Sequence, residues 1–165
     1  MSEALRARLP PEPLIVFDGE CVLCSRSAQF VLRHDRARHF RLTTAQGEVG
    51  QAIYRELDLS VIPGLAQREP GTYGSAGETR SIQAERRFST MLLVHDGEVA
   101  TESDAVLGIG AGLGPPWRWL AAAGRIAPPA IRDRAYRRVA RNRYRWFGRR
   151  ETCWMPGPGD RDRIL

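Results

Sequence analysis

The sequence predicts an α/β fold, a central mixed sheet flanked by helices with an added C-terminal helical region. Three observations carry that expectation. The first is a short apolar run, Leu14-Ile15-Val16-Phe17, cut off by Asp18-Gly19. Such a run reads as a strand buried on both faces. The second is the period that follows. Cys24, Ala28, Val31 and Leu32 fall at i, i+4, i+7 and i+8, which makes one apolar face of a helix over about 24–34. The third is Met91-Leu92-Leu93-Val94 with Asp96-Gly97 two residues on, the signal of a strand and a two-residue hairpin turn.

The remaining elements follow in order. Residues 1–12 close on Pro10-Pro11 and read as a flexible tail. A second strand is expected over 39–44, where Phe40 and Leu42 share a face by alternation. Strand, helix, strand at this spacing is a βαβ unit, so the two strands should be parallel with a right-handed crossover. Ala52, Ile53, Tyr54 and Leu57 carry a helix over 50–57. Residues 60–86 hold Pro63-Gly64, Pro70-Gly71 and Gly74-Ser75 with few apolar anchors, and read as a mobile insertion. The hairpin covers 88–101, and Ser103 is placed to cap the next helix. Residues 117–124 form a short helix packing through Trp117, Leu120 and Ala121. Pro128-Pro129 opens the last one and Gly148 stops it. Tyr136, Val139, Ala140, Tyr144 and Phe147 are its packing face, with Arg134, Arg137, Arg138, Arg141 and Arg145 opposite.

Composition sets the class. The chain has 165 residues, 42% hydrophobic and 27% charged, enough for one domain with a real core and unlike a disordered chain. Residues 13–125 should form that domain, with 126–165 packed on it as an Arg-rich helix and tail. Net charge is +6 and no lysine contributes to it. The arginine face suits weak contact with an anionic membrane or nucleic acid, without a recognition motif for a specific nucleic acid. Residues 1–13 lack the apolar core of a signal peptide. The longest stretch without a charge, Ala105–Trp117, is too short to cross a bilayer. The expected location is therefore the cytoplasm, where cysteines more often react or bind metal than form structural bridges.

The chemistry centres on Cys21-Val22-Leu23-Cys24. A C-x-x-C that opens a helix directly after a buried strand reads as a thioredoxin-like redox motif. Cys21 is expected at the exposed tip of the helix, where free N–H groups and the helix dipole favour a thiolate. Cys24 is expected on the inward face. Cys21 is then the nucleophile and Cys24 the resolving thiol, acting on a protein or small-molecule disulfide or thiol. No cofactor is required. Asp18 is the candidate to manage the proton on Cys24, Gly19 permits the tight turn, and the charge of Glu20 opposes the thiolate. Two other readings stay open. One is a non-catalytic binding module acting through its Arg-rich helix. The other is a metal site using the same cysteines with a histidine or Cys153, although no second ligand pair is present.

Asp18-Gly19-Glu20-Cys21-Val22-Leu23-Cys24 resembles the signature of the DCC family of thiol-disulfide oxidoreductases, named for the Asp and two Cys that fall on Asp18, Cys21 and Cys24. His34-Asp35-Arg36, Ser103-Asp104-Ala105, Gly114-Pro115-Pro116-Trp117-Arg118 and Ala140 through Gly148 resemble further parts of it. The resemblance covers residues 13–156 apart from a stretch near 60–86, and implies a thioredoxin-like fold. In that fold a proline, usually cis, precedes the strand facing the cysteines and helps dock substrate. Ser89-Thr90 occupy that place here, so substrate contact is expected at Ser89 and Thr90 without the proline, and at Gly19 and Glu20 beside the cysteines.

Overall fold

The computed structural model describes residues 1–61, 90–150, 154 and 157–165. The insertion expected over 60–86 falls outside them apart from the end of a helix, as do Ser89 and Cys153. Four strands form one mixed sheet: β1 Leu14–Phe17, β2 Arg41–Thr44, β3 Leu92–His95 and β4 Glu98–Thr101, in the order β2-β1-β3-β4. β1 runs parallel to β2 and antiparallel to β3, and β3 and β4 form the hairpin. Asp96 and Gly97 both take positive φ, the backbone of the tight hairpin turn that their sequence signals.

β1 is buried along its whole length and divides the core. Leu14 and Val16 pack with Leu92, Val94, Ile53 and Tyr54 on one face. Ile15 and Phe17 pack with Ala28, Val31, Phe40 and Leu42 on the other. Two-residue alternation sends neighbours to opposite faces, and helices cover both. These are α1 Glu3–Arg6, α2 Val22–His34, α3 Glu48–Val61, α4 Glu102–Gly112, α5 Trp117–Gly124 and α6 Pro129–Phe147. A 3-10 turn, Pro158–Arg163, follows near the C-terminus. The architecture is the α/β, thioredoxin-like arrangement that the sequence predicts.

Several boundaries differ for identifiable reasons. The second strand begins at Arg41 rather than 39, because the Asp35 carboxylate accepts the N–H groups of His39 and Phe40, each at 2.9 Å. That carboxylate is itself paired with Arg163 in a buried ion pair. The third strand begins at Leu92, since the Met91 N–H donates to the Tyr136 hydroxyl at 2.9 Å. Ser103 does not cap α4; Thr101 holds the cap position, and the Ser103 hydroxyl donates to Asp133 on α6 instead. The segment read as a flexible tail contains α1, whose Leu5 is buried in the core.

Candidate active site

The site is built where β1 ends. Asp18 follows the last residue of that strand and is almost fully buried. Its Oδ1 accepts the Gln46 side-chain amide at 2.7 Å and the Glu20 N–H at 3.1 Å. Its Oδ2 accepts Arg143 Nη2 at 2.8 Å and the Tyr144 hydroxyl. The Gln46 carbonyl in turn accepts the Gly19 N–H at 3.0 Å. A buried carboxylate that accepts four donors is held in place by its surroundings. It fastens β1, the turn before the cysteines and α6 to one point.

The turn delivers Cys21 as the N-cap of α2, in extended backbone. Its sulfur accepts the Cys24 N–H at 3.3 Å. A side chain in this position meets an N–H group that the first turn of a helix leaves without a partner. The Cys24 thiol also donates to it, and this is the largest influence on Cys21. Burial acts against the charge, while the Cys24 N–H and the Arg143 guanidinium act for it. The outcome is a Cys21 thiol lowered to about 6. Cys24 moves the other way. Its hydrogen bond to Cys21 holds its proton, and burial and the neighbouring thiolate add to the upward shift. Burial also pushes the Tyr144 hydroxyl up to about 12, with its bond to Asp18 acting in the same direction.

Exposure runs opposite to the sequence expectation. Cys21 is fully buried rather than at an exposed tip, and Cys24 is half-buried. The cause is a segment from the far end of the chain. After α6, Gly148 turns the chain with φ of 86°, and Arg149 forms a β-bridge to Cys21. The Gly148 carbonyl accepts the Val22 N–H at 3.4 Å, and the Arg150 N–H donates to the Glu20 carbonyl at 2.7 Å. The Arg149 guanidinium pairs with the Glu20 carboxylate, which offsets the charge that Glu20 brings beside the thiolate. Cys24 instead opens into a cavity of about 750 Å³ bounded by α2, α4, α5 and α6. Thr90 lies on the wall of the same cavity.

Thus Asp18, Gly19, Glu20, Cys21 and Cys24 converge, with Thr90 across the cavity. The residues that sequence reading missed are Gln46, Arg143, Tyr144 and Arg149. Arg143 had a signal. It falls seven residues after Tyr136 and three after Ala140, inside the apolar stripe of α6, where a charge needs a buried partner. The other five arginines of α6 that were singled out, Arg134, Arg137, Arg138, Arg141 and Arg145, are exposed. Among the described residues no three His, Cys, Asp or Glu side chains are grouped so that they could hold a metal ion. Nor is any described helix long and apolar enough to cross a membrane.

A thioredoxin-like sheet whose first strand hands a cysteine to the cap of the next helix, with a second cysteine one turn on, defines a class of two-cysteine redox folds. Comparison with known proteins narrows the class. The sequence model of the DCC1-like thiol-disulfide oxidoreductase family matches residues 15–149, and the chain belongs to that family. It is 28% identical over 155 residues to uncharacterized protein YuxK of Bacillus subtilis, covering 94% of this chain and 95% of that one. It is 32% identical over 141 residues to DCC family protein At1g52590, chloroplastic, of Arabidopsis thaliana, covering 86% and 68%. No solved structure matches it.

Proposed function

We propose that this chain exchanges disulfides through Cys21-Val22-Leu23-Cys24, with Cys21 as nucleophile and Cys24 as resolving thiol. The observation that carries the reading is the Cys21 sulfur at the cap of α2, 3.3 Å from the Cys24 N–H and lowered to about 6 by the Cys24 thiol. At neutral pH this thiol is largely thiolate, the form that attacks sulfur. Attack on a substrate disulfide breaks its S–S bond, releases one substrate thiolate and leaves a mixed disulfide on Cys21. Cys21 then carries no charge. The hydrogen bond and the neighbouring thiolate that hold the Cys24 proton disappear together, while the Arg143 guanidinium still favours the Cys24 thiolate. The released substrate thiolate takes the Cys24 proton, Cys24 attacks the Cys21 sulfur, the second substrate thiolate leaves, and a Cys21–Cys24 disulfide remains. Two electrons have passed to the substrate. Asp18 serves by holding Arg143 and the turn in place.

Exposure favours a second order of events. Cys24 faces the cavity and Cys21 does not. Cys24 then meets the substrate first, passing its proton to the Cys21 thiolate as it attacks. Trapping with a disulfide substrate separates the two orders. A stable mixed disulfide in Cys24→Ser, on Cys21, supports the first order. One formed only in Cys21→Ser, on Cys24, supports the second. Absence of both, with no Cys21–Cys24 disulfide in the wild type, overturns the redox reading. Steeply salt-dependent binding indifferent to both cysteine substitutions would then support a binding module acting through the α6 arginines.

A further inference from the structure

Resting on that redox reading, we infer that the cavity against Cys24 is the substrate site and takes a small apolar disulfide or its dithiol, not an extended peptide. Size is the first argument. About 750 Å³ is the volume of a pocket for one small organic molecule. The second is the character of its rim. Phe30, Val106, Leu120 and Val139 line the cavity and are 36%, 49%, 61% and 38% exposed. Four large apolar side chains from four helices, left in water around one concavity, mark a site for an apolar ligand.

The third argument concerns the backbone. β3 is paired on both sides, so a peptide substrate would bond main chain to main chain at residues 90–91, which lead into β3 beside the cysteines. Two of the main-chain groups there are engaged by side chains. The Thr90 carbonyl accepts the Tyr54 hydroxyl, and the Met91 N–H donates to Tyr136 at 2.9 Å. A peptide pressed against the apolar walls would leave its own N–H and C=O groups without partners. An alkyl chain carries no such groups, and a disulfide at its end reaches Cys24. The reaction balances within the site. The Cys21 thiolate and the Cys24 thiol give up two electrons and one proton, the substrate S–S bond becomes one thiol and one thiolate that takes a proton from water, and the Cys21–Cys24 bond forms.

The test uses the full chain, pre-reduced and freed of reductant, in a single turnover. Lipoamide is a neutral cyclic disulfide on an aliphatic chain, and glutathione disulfide is a charged peptide. Each rate is divided by that disulfide's rate with dithiothreitol, to remove intrinsic reactivity. The expected result is a normalised rate for lipoamide at least about tenfold higher. Val106→Glu with Val139→Glu, at exposed positions, lowers the lipoamide rate about tenfold and lowers the glutathione disulfide rate by less. Leu120→Glu is an independent variant with the same expectation. A second readout needs no redox chemistry. N-phenyl-1-naphthylamine should bind the Cys21→Ser, Cys24→Ser protein once per chain, and lose that binding in the glutamate variants. Equal or faster reaction of glutathione disulfide overturns the substrate class. So does failure of the fluorophore to bind, or a dimer that the glutamate substitutions dissolve, since the cavity is then occupied by protein. Fluorophore binding with neither disulfide reduced overturns the redox reading and the substrate class with it, while the other three failures leave disulfide exchange intact.

Discussion

Replacing Arg143 by methionine tests whether α6 is part of the site or merely packed beside it. The guanidinium donates to Asp18 Oδ2 at 2.8 Å, and the two side chains are 4% and 1% exposed. Methionine roughly keeps the volume but leaves the Asp18 carboxylate buried without its cation. Removing one partner from a buried pair costs about 3–5 kcal/mol. The Gln46, Glu20 and Tyr144 donors remain, so the lower end, about 3 kcal/mol, is expected. For a chain of this size that is a fall in Tm of roughly 6–12 °C. Asp18→Asn in the same background should recover part of the loss, because it removes the uncompensated charge. The substitution should also move the thiols. Arg143 favours the thiolate of both cysteines, so the Cys21 titration should shift upward from about 6. Reversible denaturation and pH titration of thiolate absorbance measure the two effects on one sample. A loss below about 1 kcal/mol, the range of an exposed pair, with an unmoved Cys21 titration, would refute the reasoning.

Three other outcomes follow from the same geometry. The thiol of Cys21 is depressed on folding, so its contribution to stability is present above the unfolded thiol range and lost as pH falls toward about 6. The Tm of the reduced protein relative to Cys21→Ser should therefore rise between about pH 6 and pH 9; a flat difference contradicts the assigned thiolate. Arg150→Pro removes the N–H that donates to the Glu20 carbonyl. It should raise the rate of Cys21 alkylation about fivefold, the effect of roughly 1 kcal/mol on opening; an unchanged rate means that residues 148–150 do not shield it. Arg163→Met breaks a second buried pair, with Asp35, and should cost about 3–5 kcal/mol. Because that pair stands apart from the cysteines, thiolate absorbance should titrate as in the wild type; a shifted curve would mean that the two buried pairs are coupled.

What the sequence made legible was local. β1, the hairpin turn at Asp96-Gly97 and the start of α2 each announce themselves within a few residues, through an apolar run, a turn dipeptide or a change of period. Asp18, Cys21 and Cys24 lie within seven consecutive positions, so their proximity needed no tertiary information. The partners of those residues come from far along the chain. Gln46 sits 28 residues from Asp18, and Arg143 sits 125 away. Arg143 stands on the apolar stripe of α6, where its charge could be noticed but not its partner. Cys21 was expected in solvent because a bare helix N-terminus is exposed. The Gly148–Arg150 segment covers it, and no local pattern around the cysteines foretells that. Ser103 shows the same limit in small. Its position suits a cap, but the Asp133 carboxylate brought up by α6 is a better partner for its hydroxyl.

The central claim is that Cys21 and Cys24 form one redox couple. Its most direct test equilibrates the full-length protein across a series of thiol–disulfide buffers, then alkylates the free thiols and reads each cysteine by mass spectrometry. The account predicts that Cys21 and Cys24 lose their label together, in a single two-electron transition that generates an intramolecular disulfide. Two thiols that remain free across the whole range of buffers, or that become reactive only after a chelator is added, would contradict it.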